Sequence, residues 1–242
     1  MPKEDFTLES LAVYLHLEPH KVARLADRGK LPGRKVGGQW RFSQAEIHHW
    51  LENRIGLSDE DELVRVEGVL ERSAAVGSAA HSITNLISPE AIAIPLAART
   101  RNSVIEAMVA LAAGTDWLWD PARMAEAVRS REEMHPTALE NGVAMLHPRR
   151  PLPGILGQPF VALGRTESGI PFGGGRGVLT DVFFLICSID DRGHLQTLAR
   201  LSRLIGDATF LTQLRAAPDA AAAHRLIVQC EQALVADAGT RS

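Results

Sequence analysis

Cysteine is scarce in this chain of 242 residues: only Cys187 and Cys230 occur, both in apolar surroundings. Two thiols so placed exclude a disulfide framework and read as buried residues in a reducing cytosol. No apolar run approaches the ~20 residues of a membrane span. The opening stretch, MPKEDFTLES, has no apolar core segment, so a secretory leader is not expected and the expected location is the cytoplasm. The formal net charge of −3 excludes a uniformly basic protein. No internal repeat is visible. The pattern G-x-x-x-x-G-K-[ST] is missing, which excludes a nucleotide P-loop. No cysteine/histidine spacing fits zinc, and His48-His49 point to different sides of a helix. Neither a metal nor a cofactor is expected. What is there is ordinary for one or two soluble globular domains: 45% apolar and 23% charged residues.

Three regions differ in character. Residues 1–55 are basic in their middle and rich in turn signals. Residues 56–82 are acidic, then small and polar. Residues 83–237 are aliphatic and Ala-rich, with alternating helix and strand patterns. In the middle region, Ser58-Asp59-Glu60 opens a helix, and Leu63, Val66 and Leu70 follow on one face. That segment reads as a linker with a short amphipathic helix, with a dimer-forming helix as the alternative. Two turns of such a helix are too short for a stable coiled coil.

In the first region Thr7 caps a helix whose inward face is Leu8, Leu11, Ala12 and Leu15. A second helix, over about 19–28, turns Val22, Leu25 and Ala26 inward. Its other face carries Lys21, Arg24 and Arg28 at i, i+3, i+7, and Gly29 stops it. Gly37-Gly38 then marks a two-residue hairpin between Arg34-Lys35-Val36 and Trp40-Arg41-Phe42. A third helix starts at Ser43 and carries Ile47, Trp50 and Leu51. Between 20 and 41 there are seven basic residues and one acid, Asp27, a local charge of +6. A helix–turn–helix with a basic hairpin offers one helix to a major groove and a wing to the adjacent backbone. DNA is therefore the expected partner, through Lys21, Arg24, Arg28, Arg34, Lys35 and Arg41. The alternative is a solvated basic face on a small adaptor fold.

These residues also carry a resemblance. Thr7, Leu11, Ala12, Leu15, Val22, Leu25, the Gly29-Lys30-Leu31-Pro32 turn, Val36-Gly37-Gly38, Trp40-Arg41-Phe42 and Trp50-Leu51 resemble the excisionase-type, MerR-like winged helix–turn–helix domain. The resemblance implies that Lys21 and Arg24 face base edges or phosphates, and that Arg34, Lys35 and Arg41 grip the backbone.

Beyond residue 83, helices are expected over 101–113 and from Asp120-Pro121 to about Met134. Short strands are expected at 144–147 and over QPFVALGRT. A glycine-rich loop, ESGIPFGGGRG, follows. Then come an apolar central strand over 179–189 and helices near 193–205, 207–216 and 218–235. The fold class is therefore multidomain: a small, mostly-α winged helix–turn–helix followed by an α/β domain with a mixed sheet flanked by helices. The candidate chemistry is histidine-borne. A neutral imidazole is a good nucleophile near pH 7 and can relay a phosphoryl group. The product needs donors around it, such as a second imidazole, an arginine, a hydroxyl or backbone amides. His147 ends a short apolar run, with Arg131 and Thr137 shortly before it. His194 follows the central strand, in a helix's first turn, near free amides. Taken singly, each of these histidines also reads as a surface, cap or satisfied-core residue. Arg131 also reads as a partner of Glu132 or Glu133. Arg176 in the glycine-rich loop is a candidate phosphate or partner contact.

The stretches SREEMHPTALENGVAMLHPRRP, GIPFGGGRGVLTDVFFLIC and HLQTLARLSRLIGDATFLTQLR resemble the enzyme IIA domain of the fructose/mannitol type of the bacterial phosphotransferase system, including its nitrogen-regulatory relatives. The resemblance implies that His147 accepts the phosphoryl group. His194 and Arg131 then stabilise it, Thr137 matches the family's small hydroxyl residue in the turn, and a phosphocarrier protein of that system is the donor. One position departs: Leu146 stands where the family has proline, and Pro148 follows. Proline there would fix φ and remove a backbone donor. The function expected is that of a DNA-binding transcriptional regulator controlled by phosphorylation, a histidine phosphocarrier rather than a turnover enzyme. A palindromic operator would call for a homodimer. Two alternatives stand beside it: a phosphocarrier whose small domain binds a protein, and an unphosphorylated, IIA-like regulator.

Overall fold

The computed structural model describes residues 5–15, 17–44, 46–47, 50–51 and 82–240, with side chains except at 176 and 234–240. The expected linker helix at Ser58–Leu70, the His48-His49 pair and the Arg176 side chain lie outside the described residues. Two compact units divide the chain, Met1–Gly77 and Ser78–Ser242.

The first unit runs β1 (Phe6–Thr7), α1 (Leu8–Leu15), α2 (Pro19–Asp27), β2 (Arg34–Val36) and β3 (Gln39–Phe42). Gln44, Glu46, Ile47, Trp50 and Leu51 are helical beyond it. Thr7 does start α1. Its Oγ1 accepts from the Ser10 amide at 3.1 Å, and Ser10 Oγ accepts from the Thr7 amide at 2.8 Å. This reciprocal pair satisfies two amides that a helix start leaves over. Leu11, Ala12, Leu15, Val22, Ala26, Leu31, Phe42 and Ile47 are buried together as a core, whereas Leu25, expected inward, is only partly buried. Gly37 and Gly38 have φ of 58° and 79°. Both are left-handed, as a two-residue hairpin turn that follows the strand twist demands. β2 and β3 pair antiparallel through Arg34↔Arg41, Lys35↔Trp40 and Val36↔Gln39. β1 adds to the other edge of β3 through Phe6↔Phe42. A two-residue strand carries no periodicity, so β1 was not foreseeable.

The second unit contains α3 (Ile83–Leu86), β4 (Ile92–Ala93), α4 (Arg101–Ala113), α5 (Pro121–Met134), β5 (Val143–Leu146), β6 (Phe160–Pro171) and β7 (Leu179–Cys187). Three helices follow, α6 (Asp191–Gly206), α7 (Ala208–Ala216) and α8 (Ala220–Thr240). The sheet order is β4-β6-β7-β5. β4 is parallel to β6, β6 antiparallel to β7, and β5 parallel to β7. The sheet is therefore mixed and helix-covered.

Alternation along the strands sorts side chains between the two faces. Ala144, Leu146, Phe183, Leu185 and Cys187 join one cluster with Val104, Ile105 and Met108 of α4 and Met124 and Val128 of α5. Val143, Met145, Val182, Phe184 and Ile186 are equally buried but have the opposite parity. Met145 Sδ lies 3.9 Å from Ser202 Oγ of α6, so α6 covers that second face. Burial on both faces explains why LTDVFFLIC reads as a continuous apolar run.

β6 is longer than its sequence indicates. The expected loop from Glu167 onward remains strand as far as Pro171, where β6 pairs again with β7 through Ile170↔Thr180 and Pro171↔Leu179. An irregularity in register between Arg165 and Ile170 absorbs Gly169, which would otherwise read as a breaker. Glu231 of α8 reaches back to the start of this unit. Its carboxylate accepts from the Ile83 amide at 2.6 Å and the Thr84 amide at 2.7 Å, and from Thr84 Oγ1 at 2.5 Å.

Candidate functional site

His147 follows β5 directly and shares the parity of Val143 and Met145, which sends it to the α6 face. It is 3% exposed. Its Nδ1 lies 2.8 Å from the Met145 carbonyl oxygen. A carbonyl only accepts, so this contact places the ring proton on Nδ1 and the lone pair on Nε2. The turn before β5 is fixed from two directions. Asn141 Nδ2 donates to the Ile205 carbonyl of α6 at 3.0 Å. Arg215 of α7 donates to the Asn141 carbonyl at 2.7 Å and to the Asp181 carboxylate at 2.8 Å.

His194 sits in the first turn of α6. Asp190 caps that helix by accepting from the Gly193 amide at 2.8 Å. The rings of His147 and His194 lie 5.0 Å apart, centroid to centroid, inclined by 59°. Two histidines 47 positions apart in the chain are thus neighbours. Ser188, at the end of β7, places Oγ 3.2 Å from His194 Nδ1.

Arg131 and Thr137 belong to a second cluster, joined to β5 through the backbone. Arg131 is buried at the end of α5, and its guanidinium donates to the His135 carbonyl at 2.7 Å. Its buried Nε has no hydrogen-bond partner among the described residues. Among the described residues Arg131 pairs with neither Glu132 nor Glu133. Glu132 instead, 1% exposed, pairs with Arg101 of α4 at 3.1 Å. It also accepts from the Thr137 amide at 3.2 Å and from the Thr137 hydroxyl. The Thr137 carbonyl in turn accepts from the Met145 amide at 3.4 Å. Arg101, Glu132, Thr137 and Met145 therefore form a chain of contacts ending at the carbonyl that orients His147. The sequence does not single out Arg101 or Ser188, and Glu132 reads there as a partner of Arg131. The Arg131-Glu132 pair inside the resemblance was the available signal for Glu132. Nothing local marks Arg101 or Ser188.

Burial pushes the Glu132 carboxyl above its ordinary value, against the opposing bonds from Thr137 and Arg101. A carboxyl raised on folding adds stability below its unfolded value, and that contribution is lost as pH rises through the folded value. Urea unfolding of wild type and Glu132→Gln should therefore diverge in favour of the amide as pH rises above about 4.5. The slope is about 1.4 kcal/mol per pH unit within that window. A difference constant from pH 4 to 8 would contradict the assignment.

On the first unit, Lys21, Arg24, Arg28, Lys30, Arg34 and Lys35 are exposed and Arg41 is half-buried. Arg34 pairs with Asp5 at 2.7 Å. Lys35 pairs with Asp27 at 3.4 Å and lies 4.9 Å from the centre of the Trp40 ring. Arg41 donates to Gln39 Oε1 at 3.3 Å. Trp50 Nε1 donates to the Lys30 carbonyl at 2.8 Å, tying the 50–51 helical turn to the end of the helix–turn–helix. Among the described residues, no group of three or more His, Cys, Asp or Glu is arranged to hold a metal. Among the described residues, no helix is long and apolar enough to cross a membrane.

The mixed four-stranded sheet, helix-covered and carrying a facing histidine pair, defines a domain of the phosphotransferase enzyme IIA fold. Solved structures share it: nitrogen regulatory protein IIA-Ntr of Neisseria meningitidis is 19% identical with a TM-score of 0.53, over 60% of this chain and 98% of that one. The mannitol IIA of Escherichia coli is 17% identical with a TM-score of 0.52, over 58% and 98%. Residues 85–230 match the family described as phosphoenolpyruvate-dependent sugar phosphotransferase system, EIIA 2, and the chain belongs to that family. Residues 6–55 match a helix-turn-helix domain. A nitrogen regulatory protein of Bradyrhizobium diazoefficiens is 31% identical over 147 residues, which are 60% of this chain and 94% of the relative. A fructose-specific EIIABC component of Bacillus subtilis is 26% identical over 125 residues, 51% of this chain but 19% of that larger protein.

Proposed function

We propose that the chain is a DNA-binding regulator whose state is set by phosphorylation of His147. The observation that carries this reading is the geometry of the histidine pair. His147 is anchored through Nδ1, which leaves Nε2 as the nucleophile, and His194 lies 5.0 Å away as the neighbouring imidazole. In the step proposed, the Nε2 lone pair attacks phosphorus on a phosphocarrier protein. The donor's bond to phosphorus breaks, and its electron pair stays with the donor. Arg131, with a buried Nε–H that bonds to nothing described, and His194 supply donors to the new phosphoryl oxygens. Thr137 serves by holding the turn through Glu132.

Leu146 supports an intact site. Its side chain belongs to the α4/α5-facing cluster, while His147 has the opposite parity. The residue that replaces proline therefore fills core on the far face of the strand.

A phosphoryl group adds about −1.5 to −2 charges at pH 7. Added at His147, just ahead of Arg149 and Arg150 in the chain, that charge reorganises the surface presented by this unit, and the DNA-binding unit answers it. The expected result is a change of roughly 5–150-fold in affinity for the cognate DNA on phosphorylation. Fluorescence anisotropy at one fixed salt concentration reads it. Identical affinities would remove the regulatory link and leave a phosphocarrier with a separate small domain.

A further inference from the structure

Ser188 lies at the junction of the two segments that carry the histidines. Its hydroxyl is 3.2 Å from His194 Nδ1. Its carbonyl accepts from the Leu152 amide at 3.2 Å, which fastens the segment just after His147. Ser188 and His194 are each 4% exposed, so water competes little for either bond. The parity of β7 puts Ser188 on the face of Val182, Phe184 and Ile186, where α6 packs.

A hydroxyl both donates and accepts, and an imidazole nitrogen does one or the other according to its tautomer. If Ser188 donates to Nδ1, the proton of His194 sits on Nε2, the nitrogen of the other ring edge. His194 then offers an N–H donor with no proton transfer beforehand. A phosphoryl group on His147 Nε2 has only acceptor oxygens, so a neighbouring ring helps it as a donor and repels it with a bare lone pair.

We infer that Ser188 is a positioning residue for His194: its hydroxyl donates to Nδ1 and holds the ring as the Nε2–H tautomer facing the phosphoryl group. This rests on the reading of His147 as phosphoacceptor, but the contact itself is measurable without phosphorylation. Around bound metals, partners that set a histidine's tautomer through its second nitrogen change affinity or activity by about 10–100-fold when removed, and a loss of that order is expected here.

The test uses the full chain, labelled with ¹⁵N. Long-range ¹H–¹⁵N spectra of the unphosphorylated protein report the tautomer of His194, assigned by its loss in His194→Gln. Wild type is expected to show the Nε2–H form alone, Ser188→Ala a mixture, and Ser188→Thr the wild-type pattern. Phosphorylation from the general phosphotransferase proteins is expected to slow by about 10–100-fold in Ser188→Ala and to recover in Ser188→Thr. An Nδ1–H tautomer in wild type, or a spectrum unmoved by Ser188→Ala, overturns the inference. A tautomer that shifts while wild type takes no label leaves the Ser188 contact standing and overturns the phosphoacceptor reading and with it the role in transfer. The Thr variant guards against a folding artefact, since it keeps the hydroxyl and adds bulk.

Discussion

Incubated with phosphoenolpyruvate and the general phosphotransferase proteins, the wild-type chain is expected to gain one acid-labile phosphoryl group, and His147→Ala none above background. The size of the effect follows from chemistry: alanine removes the nucleophile, and no neighbour replaces its geometry. His194 is the other imidazole in reach, but its Nδ1 lies against Ser188 rather than a carbonyl. His194→Ala is expected to keep the label and form it roughly 10²-fold more slowly, as when one preorganised donor is lost. The reverse pattern, with His147→Ala labelled and His194→Ala silent, would exchange the two roles. No label on wild type would leave an unphosphorylated, IIA-like regulator. Release of the label by mild acid, and its survival in base, separates phosphohistidine from a phosphoserine or phosphothreonine.

The second large effect concerns DNA. Binding to duplex is expected to weaken steeply with salt, because each phosphate neutralised adds about −0.9 to the log–log slope. Lys21, Arg24 and Arg28 are exposed on one face of α2, and Arg34 and Lys35 are exposed on the hairpin. If these five and Arg41 all make contact, affinity falls by about 10³-fold between 50 and 200 mM salt. The two groups then separate. If the wing grips backbone, Arg34→Ala with Lys35→Ala should lower the slope by about 2 without altering sequence preference. Arg24→Ala should relax preference at one base position if the helix reads base edges. Arg34 and Lys35 are held beside Asp5 and Asp27 in the free protein. Exposed pairs of this kind are worth about 1 kcal/mol or less, so a phosphate can displace the carboxylate. A slope near zero would refute DNA binding and leave protein recognition as the task of the first unit.

How much could be read before folding depends on how local each cause is. The Gly37-Gly38 turn was legible because only glycine readily takes two successive left-handed positions. α4, α5 and the three final helices were legible from their caps and apolar spacing, with bounds within two residues except α8, which runs five further to Thr240. β6 was cut short in the sequence reading because Gly169 and Pro171 are strand breakers locally. The partner strand β7 overrides them, with a register irregularity absorbing the glycine. The site divides in the same way. His147 and His194 were recognisable by resemblance, but their contact is made by topology, since β5 runs beside β7 and α6 follows β7. Glu132 adjoins Arg131 in sequence, yet it lies along the helix toward Arg101. Arg101 belongs to another helix, and its pairing is invisible to any spacing rule. Ser188 ends a strand and looks like a polar stop.

The Glu231 contact has a mechanical consequence. Its carboxylate fastens the amides of Ile83 and Thr84, at the point where the chain enters the phosphotransferase-type domain, to that domain's last helix. Tension applied to the chain at residue 82 therefore meets the bond to α8 as well as the packing of Ile83–Leu86 on β6 and α6. The entry point is thus clasped at both ends of the domain's chain: the first helix cannot leave its place without giving up charge-assisted bonds to the last one.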